Sequence, residues 1–180
     1  YNFPYYSQLF ENYGFQNYFN QYTYRRMISN EGLSETILEK AARIRANPDY
    51  HFETIQWKKK EKFADDFMVI YNKAWGVIPG VKLITKAHAM ALLKQLEQIL
   101  DKRLAHFGYY KGEPIAFFIM MQDLNQIIGD FNGKLTILNK IRLMYRLKIQ
   151  KKCDRIIGRI FGIVPEHQGK GIDGALILHF

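Results

Sequence analysis

Near its end the chain carries Gln168, Gly169, Lys170, Gly171, Ile172 and Asp173, in the stretch PEHQGKGIDG, directly after a run of apolar residues. These residue types at this spacing suit an anion. A helix that starts near Gly171 leaves its first backbone amides without internal partners, so they point at solvent or at a negative charge. Glycines at 169 and 171 remove Cβ atoms that would keep a bulky phosphate off the backbone, and they permit positive φ where the chain turns. Lys170 adds charge. Together these features fit a diphosphate held at a helix N-terminus. The pattern differs from a Walker A loop, which needs four residues between its first glycine and Gly-Lys-Ser/Thr, and a hydroxyl where Ile172 stands. It also differs from the G-x-G-x-x-G fingerprint at the first strand of a dinucleotide fold, because several strands precede it. The plainer alternative is an ordinary glycine-rich turn from strand to helix.

The elements that must position this loop are legible in the hydrophobic pattern. RIIGRIFGIV, residues 155–164, is a nearly continuous apolar run of the length of a central buried strand, and Pro165 ends it because proline cannot donate to a central ladder. Upstream, GLSETILEKAARIRANP has a capping Ser34, an apolar series Ile37, Ala41 and Ile44, and a stop at Pro48, which predicts a short amphipathic helix. YHFETIQW (50–57) alternates as a half-buried strand does. Phe63, Phe67, Ile70, Tyr71 and Ala74 then share one helical face up to Trp75 and Gly76. Thr85 caps a second helix whose stripe runs Ala89, Leu92, Leu93, Leu96 and Ile99. LAHFGYY and PIAFFIMM, joined by KGE, predict an antiparallel hairpin.

Residues 122–152 break this rhythm. DLNQIIGDFNG predicts a short helix closed by Gly133, and KLTILNKIRLMYRLKIQKK sets Leu138, Ile141, Tyr145 and Ile149 on one face with Arg142 and Arg146 on another. From Lys134 to Arg159 nine basic residues stand against one acid, Asp154. Three readings of this basic insert stay open: a solvated helix face, a contact with an anionic ligand or membrane surface, and an RNA or DNA patch. No RNA-binding sheet signature, zinc-finger spacing or basic-zipper heptad accompanies it, which disfavours nucleic acid.

Composition sets the frame around these motifs. At 180 residues and 48% hydrophobic, the chain can bury one sizeable core with an appended segment. Its 26 Lys and Arg against 17 Asp and Glu give a formal charge of +9, which favours an anionic partner. Cys153 is the single cysteine, which excludes an internal disulfide framework and fits a cytoplasmic location. No run approaches the roughly 18 apolar residues of a membrane span, and no charged-then-apolar leader opens the chain. Residues 1–24 are dense in aromatics, which predicts a docking arm, with an aromatic ligand cage as the alternative. A start at Tyr1 and a stop at Phe180, soon after a helix begins, lead us to expect an excised fragment.

Gln168, Gly171 and Asp173 resemble the acetyl-CoA signature of the GNAT superfamily of acyl-CoA N-acyltransferases, Gln/Arg-x-x-Gly-x-Gly/Ala. Asp173 replaces the small last residue, and Gly174 comes one position late. The order of elements also resembles the first half of that fold, and IYNKAWG, MQDLNQ and PEHQGKGID are similar to a group of bacterial GNAT-like proteins. The resemblance covers roughly residues 50–180, while residues 1–24 look like the tail of a preceding domain. It implies an α+β fold: a mixed, mostly antiparallel central sheet flanked by helices, with the basic helical insert added. It also implies a division into an extension with a short helix, 1–49, and the N-terminal half or more of an acyltransferase domain, 50–180. Acetyl-CoA or another acyl-CoA would be the cosubstrate, with no metal. Its pantetheine would lie beside the fourth strand at Phe161, Gly162 and Ile163, and its diphosphate on the loop from Gln168 to Asp173. A strand amide would polarise the thioester carbonyl, and an amine would attack directly after losing its proton. A fifth strand and the helix bearing a tyrosine acid would follow Phe180.

The base is unassigned. Glu166 and His167 adjoin the loop at its phosphate end, and His106 and Asp123 would flank the cleft from the hairpin, although each also reads as a hydrogen-bonded structural residue. Cys153 has no identifiable histidine partner. Two function classes follow: a domain that transfers an acetyl group from acetyl-CoA to an amine, and a GNAT-like CoA-binding or accessory module without the chemistry. Association with an anionic membrane or nucleic acid through residues 134–152 is a third. The expected partners are an acyl-CoA, an amine acceptor, and a second copy or a preceding domain.

Overall fold

The structure is a computed structural model that describes residues 3–29 and 31–180. They fall into two units, one ending at Gly32 and one running from Leu33 to Phe180. In the smaller unit, Pro4 precedes a helix, α1 (Tyr5–Asn12), which buries none of its residues. Its aromatic rings meet sequence neighbours, with Tyr5 on Tyr6 at 4.9 Å and Tyr13 on Phe15 at 6.0 Å.

In the larger unit, four strands form one antiparallel sheet in chain order: β1 (Tyr50–Thr54), β2 (Ala105–Tyr110), β3 (Glu113–Gln122) and β4 (Ile156–Ile163). This is the expected α+β architecture, a sheet flanked by helices, and among the described residues every pairing is antiparallel. The turn between β2 and β3 is only Lys111 and Gly112, with φ of 50° and 84°. Two positive φ values match the right-handed twist of the strands they join, and glycine takes the second at no steric cost. Glu113 therefore belongs to β3 rather than to the turn.

Alternation along the strands makes two apolar faces. On one lies α3 (Lys60–Trp75), where Phe63 meets Phe107 at 5.0 Å and Phe67 meets Phe117 at 4.8 Å. These four rings are almost fully buried, and burial of each contributes about 2–3 kcal/mol. α4 (Lys86–Leu96) packs on α3 and is capped by Thr85, whose hydroxyl accepts from the His88 amide. Its predicted stripe is narrower than expected. Only Ala89 and Leu93 are buried, Leu92 is exposed, and Ile99 lies past the helix end, because one helix packed on another needs a single row of contacts.

On the other face lies α7 (Ile172–His179), and α2 (Glu35–Ala46) packs across it. Ser34 caps α2 as expected, accepting from the Ile37 amide. Because α2 also touches β1, it belongs to the larger unit and not with the N-terminal extension that ended at residue 49 in the sequence reading. α2 and α7 approach closely because α7 lacks side chains where they cross. A Cβ built on Gly174 would lie 3.1 Å from Ile37 Cγ2, and one on Gly171 would lie 2.6 Å from Lys40 Cβ. Arg43 and Arg45 of α2 donate to the Lys170 and Leu178 carbonyls at the two ends of α7.

Between β3 and β4 come α5 (Asn125–Ile128) and α6 (Ile137–Lys148), with Asn132 and Gly133 both at positive φ in the turn. α6 is amphipathic as predicted. Arg142 and Arg146 turn inward to Asp130, while Leu138, Ile141, Tyr145 and Ile149 are exposed. These two arginines are therefore not a freely solvated face.

The crossing of α2 and α7 predicts different costs for the two loop glycines. Gly171→Ala, at φ 95° and against Lys40, should lower stability by about 3 kcal/mol or more, whereas Gly169→Ala, at φ 72° but facing open space, should cost about 1–2 kcal/mol. Urea denaturation of the two variants measures the difference; equal losses would mean that the α2 contact is not what demands glycine at 171.

Candidate functional site

The free edge of β4 and the loop after it form the candidate site. Register places Phe161 opposite Phe118 and Ile163 opposite Ala116, and the Val164 amide donates to the Ile115 carbonyl. Ladder bonds alternate, so the amides and carbonyls of Phe161 and Ile163 point away from β3. Two side chains reach those outward carbonyls. Trp75 Nε1 at the end of α3 donates to Phe161 O at 3.1 Å, and Gln168 Nε2 donates to Ile163 O at 3.0 Å. The outward donors of this edge are then the Phe161 and Ile163 amides.

A groove of about 260 Å³ runs along this edge, lined by Ala74, Trp75, Ile78, Phe161, Gly162 and Ile163 together with Gln168. Four residues predicted for the pantetheine and the start of the phosphate loop thus share one groove. Gly162 is glycine for a packing reason, since a Cβ there would lie 3.0 Å from the Phe117 ring and 3.4 Å from Trp75 Nε1. Sequence reading assigned no role to Trp75. The available signal was its place as the last residue of an amphipathic helix that had to pack on the sheet.

Past β4, Pro165 opens a tight turn, and the His167 and Gln168 amides donate to Val164 and Pro165 carbonyls. Gln168, Gly169 and Lys170 are exposed, whereas Gly171 and Ile172 are buried. Gly169 and Gly171 adopt positive φ as expected, and Gly171 forms the N-cap of α7 with no side-chain cap, leaving the first-turn amides of Ile172, Asp173 and Gly174 unpaired by the helix itself. Asp173 is exposed. The loop has two sides, however. Gly169, Gly171 and Asp173 also line a depression with Ser34, Ile37 and Lys40 of the α2 end, so these residues and the β4 groove do not share one pocket.

The candidate proton carriers are scattered. His167 packs its ring against Tyr110 at 5.0 Å, and burial first, then Lys170, lowers its pKa against an opposing effect of Glu166. Glu166 is exposed. His106 lies on the α7 face of β2, two strands from the β4 edge, with its ring edge-on to His179 at 5.3 Å. Its Nε2 donates to the Arg103 carbonyl at 2.8 Å, which leaves Nδ1 buried without a partner. Asp123 caps the turn into α5 by accepting from the Asn125 amide, and its own amide donates to Arg155 O. Cys153 Sγ lies 3.1 Å from Arg155 O and 3.2 Å from Gln126 Oε1. Neither His106, Asp123 nor Cys153 lines the groove. A separate polar cluster joins Lys62, Glu53, Asp66 and Tyr109, where burial and the bond to Asp66 push the phenol pKa far up.

His106 makes stability depend on pH. Burial holds its folded pKa below its unfolded value of about 6.5, so the unfolded chain binds more protons as pH falls. The stabilisation is complete above that value and is lost as pH falls through the folded pKa. The urea midpoint should therefore drop between pH 7.5 and pH 5.5, and His106→Gln should shrink the drop, although His167 and His179, lowered the same way, keep part of it. An unchanged drop in the variant would show that His106 titrates alike in both states.

No family model matches the chain. A stretch of 81 residues, 45% of this chain, is 33% identical to a protein named bacterial ceramide synthase from Caulobacter vibrioides (strain NA1000 / CB15N). A stretch of 99 residues, 53% of this chain, is 24% identical to the protein named YghO from Escherichia coli (strain K12). The aligned stretches cover 21% and 25% of those two relatives, so the chain spans only about a quarter of either. Among the described residues no helix is long and apolar enough to cross a membrane.

Proposed function

We propose that this chain is part of an N-acyltransferase that moves an acyl group from an acyl-CoA to an amine. The reading is carried by one observation: the two outward amides of β4, at Phe161 and Ile163, beside an apolar groove that reaches Gln168 at the start of the glycine-rich loop. An extended thioester arm with its own amides would add to this edge as a further strand, and an outward amide would stabilise the oxyanion formed when the amine attacks. Lys170, with Arg43 behind the loop, would favour the diphosphate. The name of one relative adds support, because a ceramide is chemically the amide of a fatty acid with a long-chain amino alcohol. That name also favours an acyl group longer than acetyl, which remains the other cosubstrate to test.

A second reading is a CoA-binding module without chemistry. It is favoured by the groove lining, Ala74, Trp75, Ile78, Phe161, Gly162, Ile163 and Gln168, which among the described residues contains no group able to take the proton of an attacking amine.

Phe161→Pro deletes the outward amide and leaves the ladder donors of β4 in place, while Phe161→Leu keeps the amide and serves as the packing control. Calorimetry with acetyl-CoA and a long-chain acyl-CoA should show binding to the parent and to Phe161→Leu, and about five- to tenfold weaker binding to Phe161→Pro. No heat with either thioester, or equal affinity of the two variants, would overturn the reading. Thiol release on adding a long-chain amino alcohol supports the transferase; binding without release supports the module.

A further inference from the structure

α6 is tied down by Arg142 and Arg146, beside half-buried Leu143, Met144 and Leu147, and turns a second apolar stripe outward. Arg146 donates to both Asp130 oxygens, at 2.6 and 2.8 Å, and to the Ile127 carbonyl at 2.6 Å, while Arg142 donates to Asp130 at 2.9 Å. Both guanidinium groups sit 5.5 Å from the centre of the Phe131 ring. The helix fully buries none of its residues: Ile137, Leu138 and Ile141 are 78%, 73% and 61% exposed, and Ile149 at its C-cap is 69% exposed. A surface helix of a soluble domain ordinarily does the reverse, because an apolar stripe left in water forfeits the hydrophobic stabilisation that would hold the helix down. The cations around the stripe follow a pattern. Lys140 and Lys148 border the same shallow depression as Ile141, Tyr145 and Ile149, and Lys134, Lys151 and Lys152 stand at the two ends of the helix. The nearby acids are engaged, Asp130 by the two arginines and Asp154 by Gln126 and Arg155.

We propose that α6 is an interfacial helix that seats this protein on an anionic lipid surface. An apolar stripe flanked by lysines is the combination that such a surface rewards, since acyl chains take the stripe and negative headgroups take the cations. A nucleic acid would pair with the lysines but leave the isoleucines and leucines in water. A second copy would cover the stripe but bring the Lys140 and Lys148 rims of two chains of charge +9 together. The inference does not rest on the acyl-transfer reading and concerns a different part of the fold.

Vesicle co-sedimentation of the whole chain tests it, with phosphatidylcholine alone and with phosphatidylcholine mixed with phosphatidylglycerol. Binding should require the anionic lipid and fall with salt. Ile141→Glu should abolish it, and Lys140→Glu with Lys148→Glu should weaken it by about tenfold or more, with thermal melts of both variants close to the parent. Tyr145→Trp should show blue-shifted emission on adding the mixed vesicles, reporting a ring immersed at the interface. Four results would overturn the proposal: no binding by the parent, binding of the Ile141→Glu variant equal to the parent, a homodimer that Ile141→Glu converts to monomer, or RNA binding that needs the lysines and ignores Ile141→Glu.

Discussion

The close crossing of α2 and α7 is the contact on which the candidate site depends. Gly171 caps α7, whose first turns can reach the sheet only because Gly171 and Gly174 leave room for Lys40 and Ile37. Arg43 then ties the loop carbonyl of Lys170 to the same helix. Local bonds from His167 and Gln168 fix the start of the turn, while the glycines at positive φ beyond them, free in the unfolded chain, rely on this contact with α2. The glycines therefore serve two demands at once. Positive φ lets the chain reverse after β4, and the missing Cβ lets a helix some 130 residues upstream in sequence form the back wall, as the Arg43–Lys170 bond records.

The edge of β4 is the second constraint. An exposed edge strand ordinarily presents unpaired donors and acceptors along its length, which invites another strand. Here the two acceptors next to the groove are covered by Trp75 and Gln168, and the donors are left. Such an edge discriminates between additions: it selects groups that bring carbonyl oxygens. Phe117 supports this arrangement from beneath, since its ring lies under Gly162 and beside α3, so the core that stabilises the sheet also fixes where Trp75 can point.

α6 obeys a different balance. Asp130 collects two guanidinium groups, and the bonds to Arg146, with those to Arg142, hold its carboxyl well below the usual carboxylate range. This local charge cluster attaches the helix together with half-buried Leu143, Met144 and Leu147, so the stripe through Leu138, Ile141 and Tyr145 is free for something else.

Much of this protein is decided by local pattern. Ser34 and Thr85 cap the helices that follow them, Lys111-Gly112 forms a tight hairpin turn, and the apolar face of 63–74 packs on a sheet, whereas 155–164, which reads as a central buried strand, takes the sheet edge with Ile157 to Arg159 exposed because no described strand pairs beyond it. Those are short-range consequences of hydrogen bonding, φ preference and side-chain periodicity, so the strands, the hairpin and the helices were legible one by one, whereas their assembly into a sheet flanked by helices was expected only from the family resemblance, as a mixed, mostly antiparallel sheet. The glycines at 169 and 171 were legible too, as residues that must turn. What tertiary structure alone decided is which surfaces meet. That α2 rather than solvent faces Gly171, that Trp75 reaches Phe161, that His106 lies on the far face from the β4 groove, and that α6 turns its arginines inward all join residues distant in sequence or choose between two faces of one helix. Periodicity states that a helix has an apolar face and a charged face; only the partner it finds, here Asp130 and Phe131, selects which of them is turned to the protein.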